Sequence, residues 1–458
     1  MAEKREHWGS RIGFILAASG SAVGIGNIWK YPHMAGQNGG AAFTLVYLAC
    51  ILIVGLSIVI AEFVIGRKTQ LSPVGAFEKL APGSSWKYVG YLGVASAFVI
   101  LSFYGVVGGW IIKYIVLSIT GGFNGLAGNP EVAGNVFNTF TTATWSPIIY
   151  QVLFMGFCIW VIVNGVKGGI EKWSTIMMPL IVVLLAVLAI RGITLPGGMK
   201  GISFLFNPRF EDLTASSIVL ALGHSFFTVS LGMGTMMTYG SYLDKKQNLL
   251  NSALWVLFLD TAIAMLAGVA IFTTVFALGA NPAEGPGLIF VVLPSVFPQL
   301  AAGTLWGTLF FALLFMAALT SAISILEVVT AYFIDQKGWS RKKATIQFGA
   351  VITIVGMFCS FSLGGGVNIT EFLGISFFDA VDYLSSKYML PLGGMFTAVF
   401  VLKRWGIPNF IEELTSGMED SNLSSSLIRS LLTIAAGVVA FIIFNEIYSK
   451  IVGVALIG

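Results

Sequence analysis

The sequence predicts an all-α polytopic membrane protein with eleven transmembrane helices, and three observations predict it. The chain has 458 residues, of which 56% are hydrophobic and only 10% are charged, a balance typical of membrane proteins. Apolar runs of about 20 residues, enough to cross a hydrocarbon core about 30 Å thick, recur along the whole chain. The polar connections between the runs are short. We therefore expect a single membrane domain over residues 1–458.

Each apolar run is predicted to form one transmembrane helix, because a helix pairs its backbone polar groups within its own segment. The residues before the first run are charged and no small-residue cleavage pattern follows, so we expect the first helix to stay in the protein. The predicted helices cover residues 11–35, 41–66, 88–118, 148–165, 170–191, 215–240, 250–278, 304–334, 344–362, 374–402 and 428–449.

Lysine and arginine residues crowd alternate connections. The connections 119–147 and 279–303 contain neither residue, whereas clusters such as Lys245 with Lys246 occupy the intervening ones. Because basic loops stay in the cytoplasm, the N-terminus is predicted to be cytoplasmic and, after an odd number of helices, the C-terminus extracytoplasmic, in a plasma (inner) membrane. The net charge of +4 reflects this topology. We expect membrane lipids as partners and no nucleic acid.

The first and sixth runs contain residues that weaken a helix. In SAVGIGNIWKYP, residues 21–32, two glycines precede a proline, and Gly232-Met233-Gly234 lies at the centre of the sixth run. Taken alone, the glycines are explained equally well by a small-residue face that lets two helices pack closely. Non-helical backbone in a bilayer persists only where protein, water, an ion or a ligand pairs with it. The two breaks together therefore predict a binding site.

The positions of the breaks also predict an internal repeat. Breaks in the first and sixth helices are what two five-helix halves would place at corresponding positions, and an odd number of helices per half makes the halves inverted. The predicted halves are residues 9–192 and 213–404, and the helix at 427–450 is extra. Half-helix N-termini suit a carboxylate, and freed carbonyl groups suit a cation.

Residues that enzymes and metal centres need are scarce. Cys50, Cys158 and Cys359 lie in apolar runs without metal-ligand or disulfide spacing, and the chain has three histidines. We find no nucleophile–base arrangement and no cofactor motif. The sequence therefore predicts neither enzyme activity nor an organic cofactor.

Several stretches, taken in order, resemble the neurotransmitter:sodium symporter family, and specifically its bacterial amino-acid transporters. The resemblance implies a leucine-transporter-type fold, a five-plus-five inverted repeat with unwound helices 1 and 6. The matching stretches are REHW (5–8), GSAVGIGNIWKYP (20–32), NGG followed by AF (38–43), EFVIGR (62–67), FFTVSLGMG (226–234), VVLPSVF (291–297) and AALTSAIS (317–324).

The resemblance implies an amino-acid site between helices one, three, six and eight. Tyr104 would help to hold the substrate carboxylate, although taken alone it is better explained as an ordinary buried tyrosine. No charged side chain belongs to the implied site, so a neutral hydrophobic or aromatic amino acid is expected, with Met233 as a flexible wall. The implied residues are Ser21, Ala22, Ile25, Gly26, Ile100, Tyr104, Val107, Phe227, Thr228, Ser230, Met233, Ser321 and Ile325.

The resemblance also implies two sodium ions. Thr320 and Ser321, taken alone, are more often hydroxyl groups bonded to their own helix than ligands. The first ion would share the substrate carboxylate with Ala22, Asn27, Thr228 and Asp260. The second ion would be held by Gly20, Val23, Ala317, Thr320 and Ser321.

Asp260 lies where the family usually has an asparagine. Chloride-dependent relatives hold a chloride ion nearby with a tyrosine, a glutamine, two hydroxyl groups and that asparagine. This chain keeps Tyr47 but has His224 in place of the glutamine and Ala264 in place of one hydroxyl group. A fixed carboxylate supplies the negative charge, so chloride-independent transport is expected.

Two ion pairs match the family's gates. Lys30 with Asp382 would close the outer side, where the family generally has arginine at the first position, and Arg5 with Asp335 would close the cytoplasmic side. Gly169 and Pro179 flank the start of the fifth helix and either mark a segment that unwinds or a simple helix start. Glu62, an acid inside the second helix, is expected to brace the breaks.

The predicted function is therefore sodium-coupled import of a neutral hydrophobic or aromatic L-amino acid by alternating access. Symport of small neutral amino acids such as alanine or glycine, and a non-transporting amino-acid sensor, remain alternatives. A channel fits less well, because paired broken helices around an occluded site suit stepwise access.

Overall fold

The computed structural model describes residues 5–279, 287–364, 374–418 and 423–452, and in these ranges the chain is helical with no β-strand. The predicted connection 279–303 and the predicted half 213–404 lie partly outside the described residues. The helices up to residue 193 are α1 (Arg11–Ala22), α2 (Gly26–Gln37), α3 (Ala41–Thr69), α4 (Pro73–Leu80), α5 (Lys87–Ile119), α6 (Pro130–Thr141), α7 (Ser146–Val163) and α8 (Val166–Ile193).

The remaining helices continue the bundle. Short 3-10 turns at Asn124–Leu126 and Phe210–Asp212 lie in the connections. The helices are α9 (Met199–Phe206), α10 (Ala215–Thr228), α11 (Thr235–Gly240), α12 (Leu249–Ala277), α13 (Leu288–Gln299), α14 (Gly303–Lys337), α15 (Arg341–Phe361), α16 (377–405), α17 (Ile407–Thr415) and α18 (Ser425–Val452).

Eight helices in the described ranges are long and apolar enough to cross a membrane, and α1 with α2 makes a ninth if the bent pair is counted as one span. The predicted helices 215–240 and 374–402 lie on α10 with α11 and on α16. The number eleven therefore stays a prediction, as does the inverted relation of the two halves. Five predicted connections contain helices of their own, namely α4, α6, α9, α13 and α17.

The first break separates α1 from α2, whose axes differ by 52°. The backbone N–H of Val23 closes α1 on the carbonyl group of Ser19 at 2.7 Å. The helix restarts at Gly26 as a wide π-helical turn. The side chain of Asn27 accepts a hydrogen bond from the backbone N–H of Gly24 at 3.0 Å. A side-chain amide thus replaces a partner that the break removes.

The second break lies between α10 and α11. Ser230, Gly232 and Gly234 have φ angles of 53°, 80° and 77°, a left-handed conformation that glycine adopts without steric penalty. The carboxylate of Glu62 on α3 accepts hydrogen bonds from the backbone N–H groups of Gly232 at 2.8 Å and Met237 at 3.3 Å. These bonds agree with the bracing role expected for Glu62.

Helix α14 is central to the bundle. It packs against α5, α7, α8 and α15, and also against α1. Residues 317–332 of α14 are all buried, so this stretch has no lipid-facing side. The hydroxyl groups of AALTSAIS are therefore held at a fixed position beside the first break.

Candidate functional site

The two breaks, together with α5 and α14, enclose a pocket of about 20 Å³ at the centre of the bundle. This volume holds about one water molecule. Of the residues that the family resemblance implies for the substrate, all except Val107 lie in the pocket wall, together with Gly24. The lining residues are Ser21, Ala22, Gly24, Ile25, Gly26, Ile100, Tyr104, Phe227, Thr228, Ser230, Met233, Ser321 and Ile325.

One part of the pocket wall is polar. The backbone N–H of Ile25 approaches the hydroxyl oxygen of Tyr104 to 3.5 Å, and the hydroxyl group of Ser230 donates to the carbonyl group of Ser21 at 2.8 Å. A Cβ atom at Gly24 would lie 3.1 Å from the Tyr104 hydroxyl oxygen. Glycine therefore lets the backbone of the break approach α5, so that N–H, carbonyl and hydroxyl groups line the same small space.

The rest of the wall is apolar. Ile100, Met233 and Ile325 are all buried, with at most 3% of each residue exposed. Val107, which the resemblance also implies, lies instead in the wall of an adjacent cavity of about 60 Å³. Val107 is on the same face of α5 as Tyr104, but it lies one turn beyond the pocket. Phe227 lines both cavities, as do Ile25, Gly26 and Tyr104.

Asp260 on α12 is fully buried, and its carboxylate contacts three side chains. One oxygen accepts hydrogen bonds from Asn27 at 2.7 Å and from Thr228 at 3.1 Å, and the other accepts from Tyr47 at 3.4 Å. Ala22, the fourth residue implied for the first sodium ion, lines the neighbouring pocket. The structure thus brings these four residues to one place.

The residues implied for the second sodium ion also meet. The hydroxyl oxygen of Ser321 lies 3.4 Å from the carbonyl oxygen of Gly20 and 3.3 Å from that of Val23. The hydroxyl group of Thr320 donates to the carbonyl group of Ala317 at 3.0 Å, the bond within a helix that hydroxyl residues commonly make. Oxygen atoms of α1 and α14 are therefore concentrated at the end of α1, in an arrangement that suits a hard cation.

Sequence reasoning missed one contact at this site. Ser324 donates a hydrogen bond to the hydroxyl oxygen of Ser21 at 2.8 Å. Ser324 belongs to the quoted stretch AALTSAIS and lies three residues after Ser321, on the same face of the helix. That spacing is the signal that could have identified it.

We call the end of the bundle that carries residues 5–10 the basal end and the opposite end the distal end. At the distal end, the ammonium nitrogen of Lys30 lies 3.8 Å from a carboxylate oxygen of Asp382 and 3.9 Å from the centre of the Phe227 ring. A cavity of about 470 Å³ adjoins these residues and is also lined by His224. The predicted outer gate residues are therefore together.

At the basal end, Arg5 forms a salt bridge with Asp335 and a hydrogen bond with Ser241. The indole N–H of Trp8 donates to the carbonyl group of Tyr239 at 3.0 Å. The second predicted pair of gate residues is therefore also in contact, on the other side of the pocket from Lys30.

The sequence model of the sodium:neurotransmitter symporter family matches residues 5–139 and 132–454. The chain belongs to this family. Sodium:neurotransmitter symporters and their structural relatives are transporters, so the chain is a multi-pass membrane transporter that uses sodium, and not an enzyme.

Individual relatives of the symporter cover nearly the whole chain. An uncharacterized sodium-dependent transporter of Bacillus subtilis, YhdH, is 40% identical over 91% of this chain and 91% of its own length. An uncharacterized sodium-dependent transporter of Haemophilus influenzae is 36% identical over 87% and 89%. The crystal structure of MhsT in complex with L-phenylalanine superposes with a TM-score of 0.86 at 47% identity, covering 96% of this chain and 99% of MhsT.

Proposed function

We propose that this symporter imports a neutral hydrophobic or aromatic L-amino acid together with sodium by alternating access. The observation that carries the proposal is the closed pocket at the two breaks, where backbone N–H and carbonyl groups adjoin apolar side chains. An amino-acid head group needs both kinds of polar partner. A charged substrate side chain would find no counter-charge among the lining residues. The complex of MhsT with L-phenylalanine supports an aromatic substrate.

The head group would lie between the breaks. The backbone N–H groups of Ile25 and Gly26 and the hydroxyl group of Tyr104 would hold the carboxylate, because these hydrogen-bond donors belong to residues that line the pocket. The flexible thioether of Met233 would adapt the apolar wall to side chains of different shape. The ammonium group would be held by the carbonyl groups of Ala22, Phe227 and Thr228 and by the hydroxyl group of Ser230.

Two sodium ions would be transported with the substrate. The first would lie beside Asp260, and its contact with the substrate carboxylate would make the binding of one depend on the other. The second would lie among the carbonyl groups of Gly20, Val23 and Ala317 and the hydroxyl groups of Thr320 and Ser321. Each set offers oxygen atoms, the ligands that a hard cation prefers.

Transport is proposed to need no chloride. Asp260 is fully buried and supplies a negative charge next to Tyr47 and Thr228. His224, which replaces the chloride-binding glutamine of relatives, lies against Tyr47 with 5.3 Å between the ring centres and the rings tilted by 31°. Ala264 has no hydroxyl group to offer an anion. The carboxylate therefore takes the electrostatic role that chloride has in chloride-dependent relatives.

The two gates would open in turn. In the proposed orientation the basal end is cytoplasmic, the distal end faces outward, and the C-terminus is extracytoplasmic. Lys30, Asp382 and the Phe227 ring would close the outward path, and Arg5 with Asp335 would close the cytoplasmic path. Both pairs are in contact around a closed pocket, which supports an occluded intermediate of the cycle.

A small neutral substrate such as alanine or glycine is the second candidate. The pocket volume of about 20 Å³ favours it, because this space must widen before an aromatic side chain can enter. Uptake of a panel of labelled amino acids distinguishes the two candidate functions, because they differ only in the side chain of the transported amino acid.

The test is uptake of labelled amino acids into vesicles containing the purified protein, with an inward sodium gradient and a potassium control. We expect concentrative, sodium-dependent uptake of phenylalanine and leucine in preference to alanine and glycine. Preference for alanine or glycine would support the second candidate. Sodium-dependent binding without uptake would instead identify a sensor and contradict the proposal.

A further inference from the structure

A groove lies on the surface of the bundle between the start of α5 and the basal half of α16. Its volume is about 620 Å³, which is within the range of small-molecule sites. Val107 lines the distal cavity and Tyr104 the central pocket, so α5 runs from the basal end toward the distal end and Lys87 is at its basal end. The groove shares no lining residue with the pocket at the two breaks.

The groove has a polar mouth and an apolar inner part that points toward the middle of the membrane. Ser84 and Ser85 form the mouth in the turn before α5, and Ser85 is exposed. Val89 and Leu92, three residues apart on one face of α5, form the inner part with Phe396 of α16. The lining thus changes from hydroxyl groups to hydrocarbon along the groove, as a phospholipid does from its head group to its acyl chains.

Aromatic side chains mark the level of the membrane surface at the mouth. Trp86 packs against Phe400 of α16 with 5.3 Å between the ring centres. Tyr88 and Tyr91 are 64% and 41% exposed, and the ammonium nitrogen of Lys87 lies 6.0 Å from the centre of the Tyr88 ring. Tryptophan and tyrosine concentrate where a bilayer meets water, because each joins an apolar ring to a polar group. The part of the groove beyond them therefore faces acyl chains.

Three basic side chains lie at the same level. Lys87 is the first residue of α5, and Lys403 and Arg404 belong to the last turn of α16. None of the three forms an ion pair with a carboxylate in the part of the chain that the structure describes. On the adjoining helix α4, the exposed Glu78 and Lys79 offset each other. The mouth therefore carries an excess of positive charge that the protein itself does not neutralise.

We propose that this groove binds an acidic phospholipid from the leaflet at the basal end. One acyl chain lies along Val89, Leu92 and Phe396, and the phosphate group lies at the mouth near Lys87 and the hydroxyl group of Ser85. Basic pockets between transmembrane helices at the cytoplasmic surface bind acidic head groups in this way. The site is outside the transport pathway, so the inference does not depend on which amino acid is carried.

The apolar part of the groove favours a lipid over a soluble anion. Leu92 and Phe396 offer no hydrogen-bond donor to an anion, and Phe396 is 37% exposed. A free phosphate would gain only charge attraction at an exposed mouth, which salt screens. A phospholipid fills the whole groove, so it explains the basic mouth and the apolar inner part together.

Native mass spectrometry of the purified full-length protein in detergent tests the proposal. The protein is titrated with phosphatidylglycerol and, separately, with phosphatidylcholine that has the same acyl chains, and the fraction with one bound lipid gives an apparent Kd. Phosphatidylglycerol should bind more tightly. Lys87→Gln should weaken its binding by about fivefold, the effect of one basic residue beside an acidic lipid surface. Ser85→Asp places a negative charge at the mouth and should weaken it at least as much.

A second variant class tests the acyl chain. Leu92→Trp fills the inner part of the groove and should weaken binding of both lipids by about tenfold, whereas Lys87→Gln and Ser85→Asp should leave phosphatidylcholine binding within about twofold. The matched controls are Lys245→Gln, at an exposed basal lysine, and Leu153→Trp, at an exposed leucine on α7. Both should leave both affinities unchanged. Glycerol phosphate in large excess, a head group without acyl chains, should not displace phosphatidylglycerol.

Four results would overturn the proposal. They are equal affinities of the unmodified protein for the two lipids, unchanged phosphatidylglycerol binding in Lys87→Gln and Ser85→Asp, unchanged binding in Leu92→Trp, and equal losses in the control variants. Displacement by glycerol phosphate would identify a site for a soluble anion and would overturn it as well. If Leu92→Trp does not fold, the two variants at the mouth still decide, because they alter charge at the membrane surface and not the packing of the bundle.

Discussion

The ammonium nitrogen of Lys30 lies 3.8 Å from a carboxylate oxygen of Asp382, and it also lies over the ring of Phe227. The two charged side chains are 28% and 36% exposed, so solvent screens their attraction and the pair alone is worth about 1 kcal/mol or less. The contact with the ring adds a second attraction that holds Lys30 above the pocket. Closure of the distal end therefore depends on Lys30, Asp382 and the Phe227 ring, and each contact adds only a small stabilisation.

Lys30→Arg should make this closure more stable, because a guanidinium group can bind a carboxylate with two parallel hydrogen bonds and stack on an aromatic ring. We expect kcat for uptake to fall by about threefold, with KM falling as well, since a surface ion pair changes by less than about 1 kcal/mol. Lys200→Arg, at an exposed position on α9, is the control. An unchanged kcat would show that the Lys30 contact does not limit opening.

Asp260→Asn should make transport depend on chloride. The substitution removes a buried charge that accepts hydrogen bonds from Asn27, Thr228 and Tyr47, and we expect sodium-driven uptake without chloride to fall by about tenfold or more. Chloride should restore part of the activity. Uptake is compared in sodium chloride and sodium gluconate, with the exposed Asp244→Asn as control. Equal uptake by the variant in both salts would contradict the electrostatic role of Asp260.

Met233→Phe should narrow the range of amino acids that are transported, by excluding large side chains. Met233 is 2% exposed in the wall of a pocket that is already small, and overpacking of this kind costs about 1–3 kcal/mol. Uptake of phenylalanine should fall more than uptake of alanine, as measured by competition with a labelled substrate. Met233→Leu conserves volume and should keep the original order. An equal loss for both substrates would mean that Met233 does not contact the substrate side chain.

Pro179→Ala should slow sodium release. Proline inside α8 prevents one backbone hydrogen bond, and alanine would stabilise the helix by up to about 3 kcal/mol. We expect sodium dissociation to slow by roughly tenfold, which is less than about 3 kcal/mol would allow. The effect is smaller because Gly169 and the π-helical turn at residues 166–171 still weaken the start of α8 in the variant. Dissociation is followed by stopped-flow after dilution into potassium. Pro130→Ala at the first position of α6 should leave the rate unchanged.

Glu62→Gln should lower stability more than it lowers substrate affinity. The carboxylate pairs two backbone N–H groups of the second break, at Gly232 and Met237, and replacing it with an amide should lower the free energy of unfolding by about 2 kcal/mol. Thermal unfolding of the purified protein measures this, with the exposed Glu412→Gln as control. An unchanged melting temperature would show that the break is stable without this acceptor.

The apolar runs and the glycine pairs predicted the positions of the long helices and of both breaks, because helix formation and its interruption depend on local residues. The helices α4, α6, α9, α13 and α17 were not predicted, since they lie in connections that are too short or too polar to cross a membrane. The family resemblance indicated which face of α5 meets the pocket but not the depth of Val107, because depth depends on how α5 is placed against α10.

Contacts between distant parts of the chain could not be derived from spacing. Lys30 and Asp382 lie far apart in the sequence, and their pairing was predicted only through the family resemblance. The contact between Ser324 and Ser21 was missed because the resemblance gave Ser324 no role. The carboxylate of Glu171 on α8 accepts hydrogen bonds from the backbone N–H of Gly9 and the hydroxyl group of Ser10. These bonds depend on how the start of α8 packs against the N-terminal segment, which no local pattern records.

The small pocket beneath Phe227 has a consequence for inhibitor chemistry. A compound with the amino-acid head group and a tail too bulky for the space around Met233 could occupy the breaks only while the Phe227 ring stays displaced. Such a compound would keep Lys30 away from Asp382 and would stop the cycle instead of being carried through it. The length of the tail, rather than the chemistry of the head group, would then decide whether a ligand is cargo or a blocker.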